Sequence, residues 1–324
     1  MSTEERAVTV TDSAVNELLE VRKRSDSEST LGSAFPGKSE IRSCFHDIWA
    51  RVEEHLDLSL TSDEALRLFP SLVVYDIPDG TRSTLTVRAD IDVGIDAALY
   101  CTALIHTLKG LGAESCVIMT HTEYNRERGP EGLKRILRLL AQGVKPISTY
   151  SKEERIAINL VGMKEDYELR DYLLCNLPEV QGSAFNAFFL VDHAEERFQD
   201  PQALKDLEQL PEVDVCVRHT KLNLSGGGWI PGKLLKSTFM YCQNGTLFSN
   251  WTFDELVALD TLALVAKLLN AGEGLVKMYG DIDEVKARYQ CRELRLFNKQ
   301  IRLRNRPSKL FLLGSPHGIY QFYY

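Results

Sequence analysis

The sequence has no CxxC pair, no GxxxxGK[ST] loop, and no uninterrupted apolar run long enough to cross a bilayer. Each absence removes a class of protein. Without paired cysteines at metal spacing, and with no His/Cys cluster of the zinc type, a structural zinc module is excluded. Without the Walker A loop, so is that mode of nucleotide binding. Positive charge is also in short supply, at 38 Lys and Arg against 46 Asp and Glu, for a formal net charge of −8. A general nucleic-acid or anionic-membrane binder needs a basic surface, so partners of those kinds are not expected. A local basic pocket for a phosphorylated small molecule stays open. The start of the chain, "MSTEERAVTV", is acidic and lacks a signal-peptide core. Seven cysteines (44, 101, 116, 175, 216, 242 and 291) are scattered, several in apolar runs such as "ESCVIM". An odd number in such contexts reads as buried thiols in a reducing compartment. The cytoplasm is the expected location.

What the chain does contain is alternation. An apolar strand at 71–76 precedes a helix at 94–110, with Gly110 and Gly112 as its C-cap. "SCVIMT" reads as a strand, 130–142 as an amphipathic helix, and "IAINLVG" as a strand. A helix at 166–177, the strand "AFNAFFLV", a helix at 201–209 and the strands "VDVCVRH" and "STFMYC" follow, then a helix at 252–270. This predicts an α/β fold with a mostly parallel central sheet flanked by helices. Two further helices, at 11–23 and 40–57, flank a Ser- and Gly-rich arm at 24–40. Residues 1–65 therefore read as a helical N-terminal extension with a mobile linker, and 66–324 as the catalytic part. The last fifty residues are locally basic and end on "IYQFYY".

In open parallel sheets, ligands bind beyond the carboxyl ends of the strands. Chemistry-bearing residues do follow strands here. "PDGTR" places Asp79, Gly80 and Arg82 after the first, with Arg88 close behind. An arginine fork suits phosphate oxygens, and a carboxylate beside it suits Mg²⁺ bridging a diphosphate; a Pro-Asp-Gly turn explains the same residues. Asp90-Ile91-Asp92 sets two carboxylates on one side of an extended segment, as a second metal pair or as charge at a helix N-terminus. "THTEYNRERGPEG" carries His121, Glu123, Arg126 and Arg128, as an anion clamp, an acid–base site or a solvated charged loop. His193 and His219 follow strands and read as hydrogen-bonded structural histidines, and His106 as a core residue. "NLSGGGWIPGK" is Gly-rich without a defined role.

The order of these segments resembles the cis-prenyltransferase family, of the undecaprenyl diphosphate synthase type, over roughly residues 70–270. "PDGTR" stands where that family has Asp-Gly-Asn-x-Arg. "IDVGIDAAL" keeps the glycine of its His-x-x-Gly segment as Gly94. "HTEYNRERGP" is similar to its Ser-x-Glu-Asn-Trp-x-Arg-Pro loop at Glu123, Arg128 and Pro130. "VDVCVRHTKLNLSGGGWIPGK" stands in place of its late Arg-x-x-x-Glu-x-Arg-x-Ser stretch, and "NWTFDEL" in place of its tryptophan-acidic-phenylalanine element. The resemblance implies that Asp79 is the magnesium carboxylate, joined by Asp90 or Asp92. It also implies Arg82, Arg88 and Arg128 as ligands of an allylic diphosphate, with Gly80 beside them, and Arg218 and Ser225 as what survives of a second diphosphate site. A homodimer is implied with them.

The departures shape the functional expectation. Thr81 replaces the first-loop asparagine, Leu222 the late glutamate, and the second late arginine is missing. Losing a charged donor from a desolvated diphosphate site costs several kcal/mol. The chain is therefore expected to ionise one allylic prenyl diphosphate with Mg²⁺ and to cyclise or rearrange the cation, as a terpene synthase does. Two alternatives are a condensing cis-prenyltransferase, its second site rebuilt with Lys221 and Lys233, and a non-catalytic partner subunit. Phe185, Phe188 and Phe189 are candidates for blocking a product tunnel, or are sheet core.

Overall fold

Strand β1, Val73–Ile77, is the centre of the molecule, and its last four residues are buried. β-branched and aromatic residues suit a strand covered on both faces. A computed structural model describes residues 35–56, 58–78, 93–177, 180, 182–194, 201–219, 224, 228–243, 251–270, 297–306, 309–315 and 318–324. Parallel to β1 lie β2 (Ser115–Met119), β4 (Phe185–Leu190) and β3 (Ile156–Val161) on one side, and β5 (Val215–His219) and β6 (Thr238–Cys242) on the other. Beyond β6 the sheet turns partly antiparallel. There β8 (Leu310–Ser315) pairs with β6 and β9 (Gly318–Tyr323), and β7 (Phe297–Arg302) lies parallel to β9 at the edge. The order is β3-β4-β2-β1-β5-β6-β8-β9-β7. The fold is thus α/β with a mostly parallel central sheet, as the alternation predicts. Its C-terminal strands come from the segment least legible in the sequence.

Alternation along the strands divides the core. Val74, Cys116, Ile118, Val215 and Val217 face the larger cluster, beneath α1 (Lys38–Leu56), α3 (Val93–Leu111), α4 (Gly129–Glu154) and α7 (Phe253–Asn270). Tyr75, Ile77, Val117 and Cys216 face the smaller cluster, beneath α6 (Pro201–Glu208) and Ile230. Two short helices, α2 (Ser62–Leu66) and α5 (Arg170–Asn176), complete the described set. Phe185 and Phe189 belong to the larger cluster, whereas Phe188 packs against the smaller. The three rings therefore serve as core on both faces and do not line one channel.

α1 presents Ile41, Phe45, Ile48, Trp49 and Val52 at helical spacing, and all five are buried in the same core as α3 and α7. At about 1.5–3 kcal/mol for each fully buried large side chain, this face is a substantial part of the core. α4 extends to Glu154, twelve residues past the predicted end at 142. The apolar and small positions Leu133, Leu137, Ala141, Val144, Ser148 and Ser151 stay buried along its whole length. Continuous burial on one stripe outweighs the glycine at 143 and the backbone bond lost at Pro146. α5 in turn is shorter than the predicted 166–177, and the strand predicted at 71–76 begins two residues later.

Two glycines have distinct reasons. Gly112 has φ +109°, and the Gly112 and Ala113 amides both bond to the Leu108 carbonyl, which closes α3. Gly94 sits where α3 meets α4, and a Cβ there would stand 2.4 Å from the Leu139 carbonyl oxygen and 2.7 Å from Gln142 Oε1. Backbone cannot yield as a side chain tip can. Gly94→Ala should therefore force α3 and α4 apart and cost about 1–3 kcal/mol. Urea unfolding of the variant against the wild type measures it, and an unchanged midpoint would contradict the packing account.

Candidate functional site

The chain leaves β1 toward β2 on one side and leaves β5 toward β6 on the other. β1 and β5 are neighbours, with Ile77 opposite Arg218. Diverging connections open a crevice at the carboxyl ends of such strands. Two of the sequence features singled out above continue directly from these strand ends. Asp79 follows Ile77 through Pro78 alone, and Thr220 follows His219. Asp79, Gly80, Arg82, Arg88, Asp90, Asp92, Lys221 and Ser225 lie outside the described residues.

At the base of the crevice lies a charged pair that no sequence motif singles out. His219 Nε2 donates to Asp76 Oδ1 at 2.7 Å, and the Tyr100 hydroxyl donates to Asp76 Oδ2 at 3.2 Å. Asp76 and His219 are both fully buried, and Tyr100 is 1% exposed. The Trp251 ring packs on His219 at 5.6 Å and on Tyr100 at 5.8 Å between centroids. Burial opposes charge on His219, but the Asp76 carboxylate and its hydrogen bond outweigh it and lift the imidazole to about 10. The pair is therefore a buried carboxylate–imidazolium, contributed by "YDIPDG" and "VRH" and roofed by the tryptophan of "NWTFDEL". One cue could have found Asp76: a lone acid at the end of an otherwise apolar strand needs a partner.

Trp251 is itself fixed. The Lys309 ammonium lies 4.7 Å from its ring centroid and 3.5 Å from Glu255 Oε2. Glu255 also accepts from the Thr252 amide, while the Thr252 hydroxyl accepts from the Glu255 amide, a capping box that starts α7. On the same helix Asp260 is fully buried and accepts from the Thr107 hydroxyl at 2.6 Å. Burial pushes its carboxyl well above the usual carboxylate range.

Arg218 is 3% exposed and, by alternation, lies on the opposite face from His219. Arg128 is exposed and precedes the first residue of α4. Lys233 donates to the carbonyls of Leu210, at 2.6 Å, and Glu208, at 3.3 Å. Its ammonium is thereby spent on the end of α6. His193 Nε2 donates to the Trp229 carbonyl at 2.9 Å, a structural bond of the expected kind. His106 corrects the expectation of a core residue, being only partly buried. Its Nε2 donates to the Pro36 carbonyl and its Nδ1 accepts from the Tyr150 hydroxyl, each at 2.8 Å.

A second polar cluster lies at the carboxyl ends of β2 and β4. The segment "THTEYNRER" is folded as a short 3-10 helix, Glu123–Arg128, and Thr122 bridges to His193. Arg126 pairs with Glu168 through both guanidinium nitrogens and reaches Asp192 Oδ1 at 3.3 Å, while Lys164 pairs with Glu123 at 2.6 Å. His121 lies beneath these pairs, 1% exposed. The segment is an organised part of the rim, and only its end at Glu127 and Arg128 is strongly exposed. Among the described residues no group of three or more His, Cys, Asp or Glu side chains is arranged to hold a metal ion, and no helix is long and apolar enough to cross a membrane.

No protein-family model matches the chain, and no curated protein does. Among solved structures, lavandulyl diphosphate synthase from Lavandula x intermedia, in complex with dimethylallyl diphosphate, overlaps 60% of this chain and 94% of its own, at 16% identity and a TM-score of 0.46. A probable undecaprenyl diphosphate synthase from Campylobacter jejuni overlaps 59% and 94%, at 11% identity and a TM-score of 0.41. With both scores under 0.5, the functional reading below rests on this chain's own residues.

The Asp76–His219 pair has a pH signature. Its folded imidazole titrates near 10 against about 6.5 unfolded. The stability it adds is complete below pH 6.5 and is lost as pH rises toward 10. Asp76→Asn, which leaves the buried imidazole without its counter-charge, should cost about 3–5 kcal/mol at neutral pH. In His219→Gln the decline contributed by this pair between pH 6.5 and 10 should vanish, as followed by denaturant unfolding across pH. An equal slope in both proteins would refute the assignment.

Proposed function

We propose that the chain is an enzyme of isoprenoid metabolism that ionises an allylic prenyl diphosphate, such as farnesyl diphosphate, and cyclises or rearranges the cation. The observation that carries this reading is convergence at the switch point. Asp76 precedes Asp79 by three residues, His219 adjoins Arg218, and Trp251 belongs to "NWTFDEL"; in the folded protein His219 bonds to Asp76 and packs against Trp251. Three sequence-distant segments, matched to a prenyl diphosphate family by order alone, thus meet where a parallel sheet binds ligands.

In this reading Mg²⁺ is held by Asp79 with Asp90 or Asp92, donors of the hard carboxylate type the ion prefers. When bound, the ion would supply positive charge against the diphosphate. Arg82, Arg88 and Arg128 receive the leaving diphosphate, with Arg218 and Ser225 as the remnant of a second diphosphate site. Guanidinium donors stabilise the charge that grows as the bond lengthens. The buried Asp76–His219 pair holds β1 to β5 beneath them, so the two loops start from a rigid base. The protein works as a homodimer in the cytoplasm.

Condensation with isopentenyl diphosphate is the rival reading. Lys233, one of the two lysines that would rebuild a second diphosphate site, is committed to backbone carbonyls of Glu208 and Leu210. That favours a single-substrate reaction.

Incubation of the purified protein with Mg²⁺ and geranyl, farnesyl or geranylgeranyl diphosphate, with and without isopentenyl diphosphate, discriminates these readings. A hydrocarbon or alcohol from one substrate is expected. Product that forms only with both substrates would establish condensation instead, and no turnover would point to a non-catalytic subunit. Asp79→Ala should lower turnover by at least about 100-fold, several kcal/mol of transition-state stabilisation, with the circular dichroism spectrum unchanged. Full activity in that variant would remove the central claim.

A further inference from the structure

The cluster at the carboxyl ends of β2 and β4 contains groups that the diphosphate chemistry does not use. His121 is 1% exposed, and neither ring nitrogen has a hydrogen-bond partner among the described residues. Asp192 Oδ1 faces its Nδ1 at 3.9 Å, beyond hydrogen-bond length. The Tyr167 ring lies 5.5 Å away, and its hydroxyl is likewise buried without a partner among the described residues. Two unsatisfied nitrogens on a buried imidazole are costly, and packing alone gives no reason to keep them. Asp192 stands in the left-handed backbone region at φ +56°, a strained setting that clusters at functional sites. Arg126 fixes Asp192 from one side while it pairs with Glu168.

The electrostatics keep the imidazole unprotonated. Burial, and after it the Arg126 guanidinium, lower His121 to about 4, with Glu168 opposing and Arg128 adding to the effect. Burial raises Asp192 to about 6, against the pull of Arg126 and Lys164 and with a small contribution from Glu123 in the same direction. At neutral pH the imidazole is neutral, with an acceptor nitrogen to offer, and the carboxylate facing it is ionised. A neutral buried imidazole beside a carboxylate suits a ligand that releases a proton.

We propose that His121 is the proton acceptor that ends the carbocation sequence, with Asp192 as its positioning residue; this rests on the prenyl diphosphate reading. The diphosphate leaves with the electron pair of its carbon–oxygen bond. A C–H bond beside the cationic carbon then breaks, and its electron pair forms the new C=C bond. The proton goes to a ring nitrogen of His121, and the imidazolium, faced by Asp192, passes it on to the released diphosphate. The products are a neutral olefin and hydrogen diphosphate.

The test uses His121→Gln and Asp192→Asn in the full chain, with Mg²⁺ and farnesyl diphosphate. Olefin and diphosphate release are measured separately, and binding of a non-ionising thiolo-diphosphate analogue is measured by calorimetry. In His121→Gln the analogue should bind within about threefold of wild type. Olefin should fall about 100-fold, the usual loss on removing a general base. Diphosphate release should continue, with the cation captured by water as an alcohol. Asp192→Asn keeps a residue type that tolerates the left-handed backbone, so it carries the test even if His121→Gln does not fold. Its kcat should fall, and the acid limb of its pH profile should move from about 6 toward about 4. Olefin formation at the wild-type rate in His121→Gln, or an unmoved acid limb in Asp192→Asn, would overturn the assignment. A wild-type protein that releases no diphosphate from any prenyl diphosphate would overturn the underlying reading instead.

Discussion

The pair between Asp76 and His219 joins the two strands whose connections part company. Everything proposed for the crevice starts from the ends of β1 and β5, and this fully buried bond ties those ends together. A buried ion pair is seldom the cheapest way to fill a core, because desolvation offsets most of its attraction. Its use here is geometric. An apolar contact would hold the strands side by side, but a charged bond of 2.7 Å also fixes which residue faces which. Tyr100 extends the constraint to α3 and Trp251 extends it to the segment that leads into α7.

The layers around the pair have a consistent division of labour. The face under α1, α3, α4 and α7 carries the larger core, while the face under α6 is a smaller apolar patch. Helix approach on the large face depends on Gly94 and Gly143 standing back to back, where a Cβ on Gly143 would lie only 3.1 Å from the Gly94 carbonyl oxygen. The glycine that the family resemblance singles out in "IDVGIDAAL" therefore has a packing reason of its own.

Much of the architecture was legible because two periods, 2 and 3.6, are written into the apolar residues. Strand and helix alternation from β1 to α7 follows from them, and with it the parallel sheet. The extent of α4 was not legible, since Gly143 and Pro146 look like a stop and only the buried stripe along the sheet carries the helix past them. The strands at the C-terminal end were hidden for another reason. In "FNKQIR" the polar residues mark an edge strand, and its pairing with β9 is a tertiary choice.

Around the candidate site, residue types that suit a diphosphate were noticeable from order and spacing, because Asp, Arg and Gly follow apolar strands. Asp76 and the lonely nitrogens of His121 were not. Each looks ordinary in sequence, a strand-terminal acid and a loop histidine, and becomes informative only when its surroundings are known. By itself the sequence determined most of the strands and helices from β1 to α7 and the order in which they alternate, since those are properties of local pattern. The tertiary structure alone decided that His219 bonds to Asp76 and packs against Trp251, and that His121 is buried beside Asp192. Burial and partnership arise between segments far apart in the chain, and they raise the His219 imidazole while lowering that of His121.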